Sequence, residues 1–267
     1  MKIAFIWYYD KASKYKDKWR DGLRKAIEII GKEHEVHWYL DKEVPEDKYD
    51  AYIFWDDSNS KLFDILDDYH GKKAICLTTD PHNFDNLRKL DSVYCESTPV
   101  YDMVRSQGIR AIKAFGTDTD YFTPDNRIEK DIEYFYPATF SPWKRQSTIA
   151  HLGRDLYCVG TIQPDGMYEL AECLKNHVKV EDGYFPVKHI RDLYRRSKVV
   201  IIPAIHGSER TVLESMSMGI RPIVNEENIK AYSYVKELEE SKLSPRVFVI
   251  ENYSAGKYAE DILRGIS

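Results

Sequence analysis

Apolar and polar positions follow two rhythms along this chain, and the rhythms alternate. Residues 2–8 form an apolar run behind Met1 and predict a first strand. Over residues 15–30, Trp19, Leu23, Ala26, Ile27 and Ile30 recur at helical spacing, with Lys14, Lys16, Lys18, Arg20, Arg24 and Lys25 on the other face. Residues 35–40, 51–55, 73–78, 92–96 and 110–115 predict five further strands. A short helix is expected at 61–69 and another at 99–107, closed by Gly108. The second half continues in the same way, with strands from Tyr134 and at 155–160 and 178–183. Helices are expected at 167–175, 187–196, 232–238 and 255–263. Strands that alternate with helices predict an α/β fold with parallel sheets covered on both faces.

Residues 195–225 carry the densest pattern. Val199 to Ile202 is a run of β-branched residues, which marks a strand buried on both faces. Pro203 ends it, and Ile205-His206-Gly207-Ser208 forms a loop. A helix follows from about Glu209, with Val212, Leu213 and Met216 at core spacing and Gly219 closing it. Arg221-Pro222-Ile223-Val224 opens the next strand. A helix N-terminus is thereby aimed at the carboxyl edge of a parallel sheet. Anions bind there, because free N–H groups and the helix dipole converge on that point. No Gly-x-Gly-x-x-Gly follows the first strand, which argues against an NAD-dependent dehydrogenase.

This stretch resembles the donor-binding segment of the GT-B glycosyltransferases, in particular the family 4 retaining enzymes and the related spore-maturation (CgeB-like) group. Leu213-Glu214-Ser215-Met216-Ser217-Met218-Gly219 and Pro222-Ile223-Val224 match their helix and strand. The resemblance puts Glu214 on the second glutamate of the Glu-x7-Glu motif, which implies bonds to the ribose hydroxyls of a donor nucleotide. The first glutamate is replaced by His206, with Glu209 three residues on, and either residue is a candidate for the sugar. Ala114-Phe115-Gly116-Thr117-Asp118 through Pro124 resembles the segment that ends the N-terminal domain. Alone, Asp118 and Asp120 also fit the metal pair of a GT-A enzyme, but their mid-chain place and the flanking Gly, Phe and Pro fit the first pattern. At 139–145, Lys144 aligns with the family's diphosphate lysine, Thr139 replaces its arginine, and Arg145 is a candidate for the second charge. Surface charges on a loop are the plain alternative there.

The resemblance further implies that Gly207 and Ser208 face the donor phosphates and that the Tyr184-Phe185 loop reads the base. Asp80 and His82 in Thr78-Thr79-Asp80-Pro81-His82 are expected at the reacting sugar and the acceptor hydroxyl, with Asp56 and Asp57 as a weaker choice. A polar loop with an Asx turn would account for either segment without function.

Composition narrows the rest. The chain has 267 residues, 43% of them hydrophobic and 31% charged, enough for two small domains in a globular protein. Its net charge of -5 makes nucleic acid an unexpected partner. Cys76, Cys95, Cys158 and Cys173 lack metal-ligand spacing and are expected as reduced core residues in a cytoplasmic protein. No signal peptide or long apolar span is read. The basic face at 14–25 is either a solvated helix face or a peripheral membrane contact.

The expected architecture is two Rossmann-like domains (GT-B) with a cleft between them. Residues 1–125 form the acceptor side and 126–252 the donor side, and a helix within 253–267 crosses back. The expected function is transfer of a sugar from a UDP- or GDP-sugar to a hydroxyl acceptor, sugar or lipid-linked. Retention is expected, with no metal and no cofactor beyond the co-substrate. Two alternatives stand beside it: a degenerate nucleotide-sugar-binding protein, and a GT-B-like epimerase or hydrolase.

Overall fold

In the computed structural model, which describes residues 1–9 and 22–267, all strand pairs among the described residues are parallel. They belong to two units. The first comprises Met1–Gly116 and Tyr253–Ser267. Its strands are β1 (Lys2–Ile6), β2 (Glu35–Tyr39), β3 (Ala51–Asp56), β4 (Lys72–Leu77), β5 (Ser92–Cys95) and β6 (Ala111–Lys113). They lie in the order β2-β1-β3-β4-β5-β6. Successive side chains point to opposite faces, so Ile3 and Phe5 enter one core while Ala4 and Ile6 enter the other. Burial on both faces explains why the strands read as unbroken apolar runs.

One face is covered by the helices Gly22–Ile30 and Ala255–Ile266. Tyr258, Ala259, Ile262 and Ile266 of the C-terminal helix join Leu23, Ala26, Ile27 and Ile30 in one cluster with the sheet. Ser92 Oγ donates to the Gly265 carbonyl at 2.8 Å and Tyr94 Oη to that of Ile262 at 2.6 Å. Gly265 admits no side chain, because a Cβ there would lie 2.3 Å from Tyr94 Oη.

The second unit is Thr117–Asn252. Its strands are β7 (Ile132–Pro137), β8 (Leu156–Gly160), β9 (Lys179–Asp182), β10 (Ser197–Ile202) and β11 (Ile223–Val224), in the order β11-β10-β7-β8-β9. The chain runs outward from β7 through β8 to β9, then returns to build β10 and β11 on the other side of β7. The point where the order reverses lies between β7 and β10. Helices Met167–Lys175, Val187–Arg196, Glu209–Ser217 and Ile229–Ser241 cover the sheet. Tyr194, fully buried, meets Phe135 and Phe122 edge-on at 5.2 and 6.1 Å.

Several expectations change here. The helix expected at 61–69 resolves into two 3-10 turns, Lys61–Asp64 and Leu66–Asp68. Asp67 and Asp68 place negative charge in the segment's carboxyl half, where a helix dipole disfavours it. The strand expected at 221–224 starts at Ile223, past Pro222. The helix expected at 232–238 runs Ile229–Ser241, because Asn228 caps it by accepting from Ala231 N. A helix at Pro245–Tyr253 had no counterpart in the expectation. Residues 14–21 of the basic face lie outside the described residues. In the described part, Arg24 and Lys25 pair with Glu28 at 3.2 and 3.9 Å. All four cysteines are buried and free.

Candidate functional site

In an open parallel sheet the crevice forms where strand order reverses, outside the carboxyl ends of the strands. In the second unit the loops after β7 and β10 flank that point, and they are tied together. Ile205 N donates to the Trp143 carbonyl at 2.9 Å. Lys144 Nζ donates to the His206 carbonyl at 3.0 Å and to Ser208 Oγ at 2.9 Å. Asn228, which follows β11, donates from Nδ2 to the Gly207 carbonyl at 2.7 Å. Three loops thus converge on residues 206–208.

That loop is bent into a left-handed conformation, with φ of +71° at Gly207 and +77° at Ser208. A side chain at Gly207 would be doubly disfavoured, by its φ and by a Cβ only 2.7 Å from Lys144 Nζ. The turn delivers the chain into the helix Glu209–Ser217, whose first N–H groups have no intrahelical acceptor. Ser208 makes no side-chain cap, and its hydroxyl accepts from Lys144 instead.

The electrostatics are unusual for a loop. Burial lowers the Lys144 pKa from 10.5 to about 8. Glu209 opposes the drop, while Lys230 and Arg210 add to it. Glu209 is itself buried, and its Oε1 lies 3.3 Å from the Nζ of Lys230 on the helix Ile229–Ser241. That oxygen has no hydrogen bond, so the pair is held by charge without good donor geometry. Lys144 Nζ and Glu209 Oε2 thus approach the open side of Gly207, and Glu209 Oε1 faces Lys230.

Of the residues singled out by the sequence, this constellation brings together Lys144, Gly207, Ser208 and Glu209. His206 contributes its carbonyl, and its side chain is exposed. Arg145 turns aside to Glu227 at 2.6 Å. Thr139 carries no charge into the loop; its carbonyl accepts from Gln146 Nε2 at 3.0 Å and its hydroxyl from Thr161 at 3.4 Å. Glu214, buried within the Glu209–Ser217 helix, accepts from Tyr194 Oη at 3.1 Å and lies 3.5 Å from Arg210. Tyr184 and Phe185 follow β9, two strands from β7. Tyr184 is 73% exposed, and Phe185 stacks on His189 at 4.9 Å, whose Nε2 meets Glu181 at 2.6 Å.

Asp80 and His82 belong to the first unit, in the loop after β4. Backbone N–H groups of His82 and Asn83 donate to the buried Ser58 Oγ at 2.9 and 3.1 Å, which fixes the loop and leaves the His82 imidazole exposed. Asp56 accepts from Ser60 Oγ at 2.6 Å and from Asp57 N at 2.8 Å, and burial raises its pKa. Asp57 accepts from Asn59 N at 2.6 Å. Asp118 is buried in a local turn, where its Oδ1 accepts from Tyr121 N at 3.1 Å. Among the described residues no group of three or more His, Cys, Asp or Glu is placed to hold a metal ion.

Sequence reasoning passed over Lys230 and Asn228, which lie beyond the motif strand. It also passed over Trp7 and Trp55, which meet at 4.3 Å where the first unit's strand order reverses between β1 and β3. The rhythm of the chain carries no sign of these contacts, since each depends on which strands become neighbours.

No family model matches the chain, and no curated protein matches it. Solved structures do. Anabaena HepE, in complex with UDP and glucose, superposes with a TM-score of 0.63 at 12% identity over 99% of this chain and 98% of its own. AviGT4, a glycosyltransferase involved in avilamycin A biosynthesis, gives 0.65 at 12% identity over 99% and 96%. Trehalose-6-phosphate synthase OtsA gives 0.68 at 6% identity over 100% and 99%. The likeness spans the whole chain and shows the fold of the GT-B glycosyltransferases.

Proposed function

We propose that this protein is a glycosyltransferase that moves a sugar from a nucleotide-diphosphate sugar to a hydroxyl acceptor. The observation that carries the reading is the meeting of Lys144 with the Gly207–Ser208 turn and the start of the following helix at the second unit's switch point. In such a transfer the bond between the anomeric carbon and the diphosphate oxygen breaks, and the acceptor oxygen bonds to that carbon. The acceptor gives up its proton, and negative charge collects on the departing diphosphate. A preorganised ammonium, the Ser208 hydroxyl and helix N–H groups supply what that charge needs, so the proposed reaction runs without metal or further cofactor. Retention of configuration belongs to the same proposal.

Glu214 is assigned to the ribose, Tyr184 and Phe185 to the base, and Thr139 and Arg145 to the rim of the phosphate site. His206 takes the sugar hydroxyls, because Glu209 is engaged by Lys230. Asp80 and His82 are assigned to the reacting sugar and acceptor. UDP is the first nucleotide to test, since HepE carries it, and GDP the second. The acceptor is a sugar or a lipid-linked hydroxyl. A cytoplasmic enzyme with peripheral membrane contact through residues 14–25 fits the second case. Among the described residues no helix is long and apolar enough to cross a membrane.

A thermal-shift panel of UDP, GDP, ADP, TDP and CMP tests the donor site. A ligand at 100 times its dissociation constant adds about 2.7 kcal/mol of stability. A shift with one diphosphate that vanishes in Glu214→Ala and Lys144→Ala supports the reading, and silence from the whole panel on folded protein refutes it. The uncharged Thr139 and the diversion of Arg145 to Glu227 favour one second reading, a nucleotide-sugar-binding protein without turnover. Mass analysis of products after incubation with donor and acceptor separates transfer, epimerisation, hydrolysis and mere binding.

A further inference from the structure

The first unit holds a cavity of about 300 Å³. That is the small end of the range for ligand pockets, closer to a sugar than to a nucleotide. It opens between the chain that leads into β3 and the 3-10 turn Leu66–Asp68. Tyr52, the second residue of β3, and Tyr69, just before β4, form its buried wall. The cavity thus lies at the amino ends of these strands. The substrate crevice of an open parallel sheet lies at the carboxyl ends, so this is a separate place on the unit.

Both phenols of that wall carry a proton without an acceptor. Tyr52 Oη accepts from Tyr49 N at 3.1 Å and donates to nothing among the described residues. The Tyr69 hydroxyl makes no hydrogen bond among them, although Tyr69 is only 5% exposed. The Tyr69 ring packs against Tyr52 at 4.6 Å and Phe54 at 6.0 Å, contacts that fix the side chain without using its oxygen. Burial pushes the Tyr69 phenol up to about 12, so the proton stays on the oxygen at neutral pH. A buried hydroxyl with no partner costs free energy that an entering acceptor recovers.

The rim of the cavity is mixed in charge. Glu46 and Asp68 bring exposed carboxylates and Lys48 an exposed ammonium, none of them in an ion pair among the described residues. Asp47 is engaged by Lys2 at 3.2 Å, His70 adds an imidazole, and Val44, Pro45 and Ile65 supply apolar surface. An anion entering here meets the carboxylates. A cation meets Lys48 and leaves both phenol protons unmatched. A neutral polyol suits every group, because each of its hydroxyls both donates and accepts.

We propose that this cavity binds a neutral sugar, with the Tyr52 and Tyr69 hydroxyls as donors to it and Glu46 and Asp68 as acceptors from it. The proposal gives the first unit a sugar-binding place of its own and does not rest on the donor-site reading.

The test is titration of the full chain with glucose, galactose, mannose and N-acetylglucosamine, read by saturation-transfer NMR and calorimetry. Glucuronate and glucosamine serve as the anionic and cationic forms of the same ring. At least one neutral sugar should bind more tightly than either charged form. Tyr69→Phe keeps the ring and removes only the hydroxyl that has no partner, so urea denaturation should find its stability unchanged. Its affinity for that sugar should fall by about three- to tenfold, the worth of one hydrogen bond. Asp68→Asn should weaken the same sugar by about threefold or more, while the response of both variants to UDP stays that of the parent. Binding of none of these sugars would overturn the proposal, as would tightest binding of glucosamine or glucuronate. Binding that is equal in the parent, Tyr69→Phe and Asp68→Asn would place the sugar elsewhere and overturn it too. Each of these results leaves the donor-site reading untouched.

Discussion

Replacing Lys144 by methionine is expected to stabilise the ligand-free protein while abolishing its affinity for diphosphates. The stem is kept and only the charge is lost. The Lys144 pKa drops from 10.5 to about 8 on folding, first because burial disfavours the ammonium; Glu209 opposes the drop, and Lys230 and Arg210 add to it. Each tenfold in proton affinity is worth ~1.4 kcal/mol, so holding the charge at pH 7 costs roughly 3 kcal/mol. Against this, methionine forfeits the bonds to the His206 carbonyl and Ser208 Oγ, each worth about 1 kcal/mol. The balance at pH 7 is a gain of about 1 kcal/mol. The sign with pH follows from the direction of the drop. Below pH 8 the folded protein carries a charge it would rather shed. Between about 8 and 10.5 the folded lysine is neutral while the unfolded one is still charged, and the parent protein recovers its deficit. Urea denaturation of both proteins from pH 7 to 10.5 should therefore show the variant's advantage shrinking and then reversing, by roughly 3 kcal/mol in all. A variant that is less stable by more than about 1 kcal/mol at pH 7, with a difference flat in pH, would refute the account of Lys144 as a strained charge.

Three other outcomes are expected. Gly207→Ala forces a Cβ to within 2.7 Å of Lys144 Nζ at a φ of +71°, and should lose at least 1–2 kcal/mol in urea denaturation, about the cost of a left-handed L-residue, together with pyrophosphate binding. Tyr194→Phe removes the donor to the buried Glu214 carboxylate and should cost about 1–3 kcal/mol in the same assay, and a neutral result would mean that water or Arg210 already serves that oxygen. Phe185→Ala should weaken UDP but not pyrophosphate in paired calorimetric titrations, and equal loss of both would remove Phe185 from the base.

How much of this was legible depends on whether the determining contacts are local. The Glu209–Ser217 helix announced itself, since Val212, Leu213 and Met216 sit on one face and Gly219 follows at a φ of +76°. Val187–Arg196 was readable for the same reason. The run Lys61-Leu62-Phe63 looked helical too, but Ser60 caps only a 3-10 turn and the acidic residues behind it stop the ladder. Pro245–Tyr253 escaped notice because Val247, Phe248, Val249 and Ile250 are apolar and adjacent, with no helical period to read. At the site, Lys144 and the Gly207–Ser208 turn were readable because they resemble a motif. Lys230 was not, because in a row of helical residues a lysine reads as a solvated one, and only the return of β10 and β11 beside β7 brings it to Glu209.

The same reasoning separates the two kinds of buried charge in the second unit. Glu214 is a buried carboxylate with a phenol donor at 3.1 Å and a guanidinium beside it, an arrangement satisfied within the protein. Lys144 and Glu209 are not satisfied in that way: burial depresses the ammonium's pKa, and the carboxylate oxygen nearest Lys230 has a charge contact but no hydrogen bond. Selection for stability alone would replace such a cluster with apolar side chains, which buried ion pairs often tolerate without loss. A buried lysine at the reversal point of the sheet, beside the left-handed turn at Gly207, makes sense if a negative charge arrives with a ligand. Stability and anion binding should then move in opposite directions across substitutions at Lys144.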